Sequence, residues 1–501
     1  MRYQLLLAAG VVVGALTGAP SLAADNDTPV NNTPMVEQGQ YIARAADCMV
    51  CHVGPDGTPF AGGKPVSTPL GDIIAPNISS SKKYGIGDYS VDDLARVLRN
   101  GKTSWFTYLY PAMPYPAYQG MTDEDIKSLH AYLQTVPAVE REPEAETNLD
   151  FPFNIRLSMI VWNTMNLDEN HPREELDDQA TRGRYIVDNL AHCGTCHTPR
   201  NDMMGSDYEH YLGGGQLRSW YAPNITSDST AGIGAWSNNE LADYFKNGQA
   251  GYFAQAAGPM GEAVHHSLKY LTEDDRLAMA AYLKMVPAIA NEEQEQSVMD
   301  SEINAQLIGL DPVVTKATRY APDELASHGL KASGIDEEPG SPAALYAQNC
   351  AACHRDDGYG QPVSYYASLN GNTTLRAANP RNLVAVLLNG VAFNGATPRP
   401  LMPGFEGKLD NQQIAALANY VRTEFGGHSA SNVDADQVAY VASGKQPVSD
   451  LIRYAPLLAW LGVLIAVLLI VGGIGFWWRR RRQHTQNAYG HDTNSKGQAH
   501  P

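Results

Sequence analysis

Cys48-Met49-Val50-Cys51-His52, Cys193-Gly194-Thr195-Cys196-His197 and Cys350-Ala351-Ala352-Cys353-His354 hold every cysteine of the chain. Two thiols three positions apart share one helical turn, and the imidazole that follows lies beside them. Such a turn can add both thiols to the vinyl groups of a haem and set the histidine under the iron. Three disulfides or redox dithiols would use the same cysteines but leave the histidines unexplained. Histidine is 14 of 501 residues, so meeting one after all three pairs by chance is on the order of 10⁻⁵. Zinc needs four ligands more widely spaced, and iron-sulfur clusters need more cysteines. The expectation is three covalently bound haem c groups, with Cys48, Cys51, Cys193, Cys196, Cys350 and Cys353 as thioether sites and His52, His197 and His354 as axial ligands.

The second axial ligand separates a carrier from a catalyst, because an open face lets iron bind small molecules. Ala112-Met113-Pro114 and Leu401-Met402-Pro403 each follow their histidine by about 50 to 60 residues and precede a final helix; the proline keeps the ligand loop from becoming helix. Met260, in Gly258-Pro259-Met260-Gly261, stands at the matching distance in the middle of the chain but lacks the following proline. His265 and His266 are nearby competitors, read as surface or haem-edge residues. With Met113, Met260 and Met402 as ligands no iron has a vacant site, which favours electron transfer over a free-standing haem peroxidase.

Two stretches of the chain match each other. Tyr41-Ile42-Ala43 corresponds to Tyr185-Ile186-Val187, Ala75-Pro76-Asn77-Ile78 to Ala222-Pro223-Asn224-Ile225, and Gly85-Ile86-Gly87 to Gly232-Ile233-Gly234, about 147 positions apart. Thr122 and Thr272 are candidate N-caps, with acids in the turn that follows, and Asp410 opens a similar helix in a third, shorter unit. Asn77 and Asn224 head sequons but read as turn signals rather than glycosylation sites.

The ends carry membrane signals. Met1 and Arg2, an apolar run from Leu5 to Leu16 and small residues up to Ala24 read as a signal peptide. Ala455 to Trp478 is free of charge and would span about 36 Å as a helix. Trp477 and Trp478 suit the interface, and Arg479 to Arg482 mark the cytoplasmic side. The expected location is the inner (cytoplasmic) membrane, single-pass, with the haem domains on the periplasmic side. A net charge of -18 disfavours nucleic acid as a partner.

At Tyr84-Gly85-Ile86-Gly87, Tyr110-Pro111-Ala112-Met113-Pro114-Tyr115-Pro116, His192-Cys193-Gly194, Thr198-Pro199-Arg200-Asn201 and Gly371-Asn372-Thr373-Thr374 the chain resembles the tri-haem cytochrome c subunits of membrane-bound dehydrogenases of acetic acid bacteria. Among these are the flavin-carrying fructose, sorbitol and gluconate 2-dehydrogenases and the PQQ-dependent alcohol dehydrogenase. The resemblance covers Gly39 through the membrane helix, and the C-terminal spanning segment favours the flavin-linked group. It implies a catalytic dehydrogenase subunit with flavin or PQQ, a small third subunit, and ubiquinone as acceptor.

The expected fold class is mainly α: three cytochrome c-like haem domains, the first two an internal repeat, plus one C-terminal transmembrane helix. In residues, this is a signal peptide at 1–24, domains at 25–139, 181–289 and 339–428, and linkers at 140–180, 290–338 and 429–454. The transmembrane helix takes 455–478 and a cytoplasmic tail 479–501.

Overall fold

Capping side chains set where most of the longer helices begin. The computed structural model describes residues 33–104, 107–167, 178–251, 253–290, 340–360, 366–392 and 401–491. The expected signal peptide at 1–24 and nearly all of 290–338 lie outside them.

In the N-terminal region Thr33 caps α1 (Pro34–Ala45), with Pro34 in the first turn, where no N–H is needed. There follow α2 (Cys48–His52), the hairpin β1 (Pro65–Thr68) and β2 (Gly71–Ile74), α3 (Val91–Asn100), α4 (Tyr115–Tyr118) and α5 (Asp123–Leu133). Strand β3 (Asn148–Leu149) then adds to β2, with Gly71 opposite Leu149. Ser90 and Asp93 make a reciprocal capping box on α3, and Gly101, at φ 61°, ends that helix in the left-handed conformation glycine favours.

The central region begins with α6 (Met159–Asn166) and α7 (Asp178–Arg184), which runs into a π-helical stretch at Tyr185–Leu190. It continues through α8 (Gly194–His197), the hairpin β4 (Gly215–Leu217) and β5 (Trp220–Ala222), α9 (Asn238–Asn247), the hairpin β6 (Gln249–Ala250) and β7 (Ala254–Gln255), α10 (Gly258–His266) and α11 (Glu273–Leu283). Thr122 and Thr272 accept from Asp125 N and Asp275 N, so both are the N-caps their sequence context suggests.

The third region contains α12 (Pro342–Asn349), α13 (Ala351–His354), α14 (Thr373–Arg376), α15 (Arg381–Asn389), the pair β8 (Val391–Ala392) and β9 (Leu401–Met402), α16 (Asn411–Glu424) and α17 (Ala435–Ala442). Asp410 boxes with Gln413 to open α16. Last comes α18 (Asp450–His491), longer than the apolar stretch it contains. It is the one helix among the described residues long and apolar enough to cross a membrane, and its apolar window is wholly exposed.

Two close crossings shape the first two regions. A Cβ on Gly39 would sit 1.9 Å from Ser128 O, and one on Gly183 would sit 1.9 Å from Ala278 O, so α1 on α5 and α7 on α11 approach as only glycine allows. The two regions share a single core in which Ile42, Leu129, Ile186, Leu190 and Met279 are at most 2 % exposed. The third region has its own core around Tyr346, Val384, Leu417 and Val438. It docks on the central region through Asn382, whose amide exchanges bonds with Tyr221 N and Tyr221 O, both at 2.8 Å.

Two stretches read from sequence as connections contain packed structure. Within 140–180, β3 joins the sheet, and α6 buries Trp162, whose indole N–H donates to Met203 O at 2.9 Å. Within 429–454, α17 buries Val438 and Val441. Elements this short show too little periodicity to stand out among charged neighbours.

Candidate haem sites

The three Cys-x-x-Cys-His segments all fold as single helical turns. Residues in the left-handed region sit at their edges: Asp47 (φ 53°) before the first, His192 (φ 42°) before the second and Arg355 (φ 64°) after the third. The chain therefore enters or leaves each turn at a sharp angle.

In every turn the imidazole Nδ1 meets a backbone carbonyl. His52 bonds to Pro76 O at 2.8 Å, His197 to Pro223 O at 2.7 Å and His354 to Ala367 O at 2.9 Å. A carbonyl can only accept, so Nδ1 carries the proton and Nε2 keeps its lone pair, which is the form that binds a metal. Burial lowers the pKa of all three imidazoles, with the carbonyl bond acting weakly the other way.

The carbonyls are themselves held in place. Asn77, 3 % exposed, accepts from Ser79 N at 2.9 Å and donates to Val139 O and Arg141 O. Asn224, 2 % exposed, accepts from Thr226 N at 2.9 Å and donates to Ile289 O at 2.6 Å. These are turn-forming asparagines, as read from sequence. What the sequence reading missed is the proline carbonyl just before each, although the recurring Ala-Pro-Asn offered a signal. Nothing comparable marks Ala367.

No two of the six cysteines are joined in a disulfide. Burial pushes Cys48, Cys193 and Cys350 up to about 12 and Cys51 up to about 11. Redox dithiols depend on a depressed thiol pKa, the opposite of what burial produces here. Among the described residues no three His, Cys, Asp or Glu side chains gather as a metal cluster.

The three methionines lie in different local structures. Met113 occupies the turn before α4, and Met402 ends β9, where Pro403 can donate no further ladder bond. Met260 stands in the first turn of α10 rather than in a loop. Its proline precedes it, and proline early in a helix favours the helical start. Met113 and Met260 are half-buried against the shared core beside Cys48 and Cys193, and Met402 packs against the core holding Cys350. His265 and His266 contact each other edge-on at 4.8 Å, and His265 Nδ1 lies 3.0 Å from Lys269 Nζ.

A cleft of about 1550 Å³ runs beside the second turn, walled by Thr195, Cys196 and Tyr211, by Pro111 and Pro114 of the Met113 loop, and by the foot of α18 at Leu451 and Ala455. Arg200 donates from Nη2 to Thr195 O at 2.5 Å and places a cation against this turn. Paired thiols and a proton-fixed imidazole on one helical turn fit covalent haem.

The sequence model of the cytochrome c family matches residues 36–137 and 342–424. The fructose dehydrogenase cytochrome subunit of Gluconobacter japonicus is 40% identical over 97% of this chain and 97% of its own length. The gluconate 2-dehydrogenase cytochrome c subunit of Pantoea cypripedii is 33% identical over 85% of this chain and 94% of its own. For the quinone alcohol dehydrogenase cytochrome c subunit of Gluconacetobacter polyoxogenes the values are 32%, 84% and 87%. With its paired cysteines, oriented histidines and end-to-end similarity to these three, the chain belongs to the family of haem c-binding cytochrome subunits of dehydrogenases.

Proposed function

We propose that this chain carries three haem c groups, one at each Cys-x-x-Cys-His turn, and relays electrons from a catalytic dehydrogenase subunit to ubiquinone while anchoring the complex to the membrane. His52, His197 and His354 would bind one face of the irons, and Met113, Met260 and Met402 the other. Haem iron supplies one-electron redox chemistry, and thioether ligation raises its potential relative to two histidines. The protein's part is positioning. The carbonyls of Pro76, Pro223 and Ala367 fix the imidazole planes.

The observation that carries this reading is the Nδ1-to-carbonyl bond made by all three histidines. Matched glycine crossings, N-caps and Asn-held carbonyls support treating the first two regions as copies of one fold, with haem domains at 25–139, 181–289 and 339–428. The greater similarity to the fructose dehydrogenase subunit favours a flavin-linked sugar or sugar-acid dehydrogenase as partner over a PQQ alcohol dehydrogenase. The apolar stretch of α18, followed within the same helix by Arg479 to Arg482, favours a single span of the inner membrane with the haem regions in the periplasm.

The decisive experiment is the intact mass of the acid-acetone-treated polypeptide, with its pyridine haemochrome absorbance. Three covalent haems per chain are expected, and fewer would refute the count. Gentle detergent extraction should bring down a dehydrogenase subunit. A PQQ-containing partner would replace the flavin assignment, and carbon monoxide binding to the reduced protein at neutral pH would overturn the closed-site carrier.

A further inference from the structure

We propose that the segment from Phe151 to Leu167, including α6, is a second membrane-contacting element that dips into the periplasmic leaflet beside the spanning helix. This rests on the reading of α18 as membrane-spanning. Ile155, Leu157, Ile160, Val161 and Met165 are 45 to 66% exposed, and they include every exposed Ile, Leu and Val among the described residues outside α18. Exposed apolar residues scattered singly are ordinary, but a contiguous group marks an interaction face.

The helix is amphipathic in the reverse sense of a water-soluble one. Its protein-facing side carries the polar anchors: Asn163 Oδ1 accepts from Tyr115 OH at 2.6 Å, and Asn166 Oδ1 accepts from Asn201 Nδ2 at 2.9 Å. Trp162 is fixed between them by its bond to Met203 O and an edge-on contact with Tyr115. The outward side holds Ile160, Val161 and Met165, and Thr164 between them returns its hydroxyl to Ile160 O at 2.8 Å, so it needs no water. Arg156 is the only charged residue from 151 to 167. Its guanidinium is turned back over the Tyr110 ring at 4.6 Å and donates to Tyr108 O at 2.9 Å.

The position of the segment identifies the bilayer as the occupant. Phe151 packs on Trp460 of α18 with ring centroids 5.3 Å apart. Trp460 lies about 8 Å along the helix past Ala455, the start of the uncharged stretch. A residue touching it shares the depth of an interfacial helix, which buries its apolar face by about 5–10 Å. Leu451, Ala455, Leu157 and Val161 line the same cleft, so the two elements present one continuous apolar face. Apolar insertion of this kind does not depend on the net charge of the chain.

The test uses the full haem-loaded chain with its native partner subunits in vesicles of phosphatidylethanolamine and phosphatidylglycerol. An apolar photoactivated carbene reagent is dissolved in the bilayer, and labelled residues are mapped by peptide mass spectrometry. Label in 155–165 is expected at roughly tenfold the level of Met35, which is exposed away from that cleft. A Val161→Asp, Met165→Asp variant should lose that label and keep label in 455–478. Label in 455–478 with none above background in 155–165 would overturn this proposal alone. Label in neither would remove the spanning reading and this one with it. Crosslinking of 155–165 to the catalytic subunit in place of lipid labelling would assign the face to that protein and refute the membrane contact.

Discussion

The Tyr185 hydroxyl donates to Asp125 Oδ2 at 2.6 Å, reaching from the central region to the first turn of α5 in the N-terminal region. Tyr41 makes the reciprocal bond to Asp275 in α11. Each hydroxyl also accepts from the N–H of the helix-capping threonine, Thr122 N for Tyr185 and Thr272 N for Tyr41, both at 3.2 Å. Each region thus completes the helix start of the other, and the second of these matching bonds makes their mutual orientation hard to change.

Replacing Tyr185 by Phe removes one buried bond to a carboxylate and leaves Thr122 N without its partner. The expected loss of stability is about 1–3 kcal/mol. Tyr41→Phe should match it, and the double variant should unfold with the first two regions separating. Chemical denaturation followed by tyrosine fluorescence and haem absorbance checks both; no change in either single variant would deny the seam a stabilising role.

The seam should also weaken in acid. Burial alone would raise the pKa of Asp275, but the Arg182 guanidinium, bonded through Nε and Nη2 at 2.8 Å each, and the Tyr41 hydroxyl together hold it below the ordinary carboxylate range. A depressed folded-state pKa contributes stability that is present above the unfolded value near 4 and is lost as pH falls through the folded one. Stability should therefore drop below about pH 4, and Arg182→Gln should move that drop to higher pH. Thermal melts from pH 7 down to pH 3 measure it.

Gly39→Ala and Gly183→Ala would each force a methyl group into a carbonyl 1.9 Å away. Neither crossing has a flexible side chain that could give way. A loss of about 2–4 kcal/mol is expected from each, the range of overpacking with backbone shift, and unchanged melting temperatures would count against the close crossings.

Met113→Ala or Met402→Ala should open one iron to carbon monoxide in the reduced protein and lower that haem's potential. Met260→Ala should do the same at the central haem even though Met260 sits on a helix. Redox titration with optical detection separates the three, and an unchanged spectrum and potential in any variant would remove that methionine as a ligand.

Asn77→Ala and Asn224→Ala cut the bonds that brace the turns just after Pro76 and Pro223, whose carbonyls meet His52 and His197. Each should cost about 2–4 kcal/mol through the buried groups left unpaired. Each should also perturb the spectrum of its own haem while leaving the other two unchanged, which resonance Raman spectroscopy can resolve.

Much of the candidate site was legible in the chain because thioether attachment is a local reaction. It needs two cysteines and a histidine on one turn, and that spacing is written in consecutive residues. The helix starts at Thr122, Thr272 and Asp410 were readable for the same reason, since a cap acts within three residues. Met260 was the less clear candidate, because it lacks the following proline of Met113 and Met402, and Pro259 before it starts α10. The packed segments at 148–149, 159–166 and 435–442 were hidden by their shortness and their charged surroundings.

The sequence by itself carried the three Cys-x-x-Cys-His spacings, the caps and the apolar C-terminal helix, all of which depend on residues within a few turns of one another. Only the tertiary structure decided which carbonyl orients each histidine, since Pro76, Pro223 and Ala367 lie 13 to 26 residues from the imidazoles they hold. It alone decided that two regions share one core, and that α6 turns asparagines inward and apolar side chains out. Those outcomes depend on which surfaces meet when the chain closes on itself, and no local pattern records that.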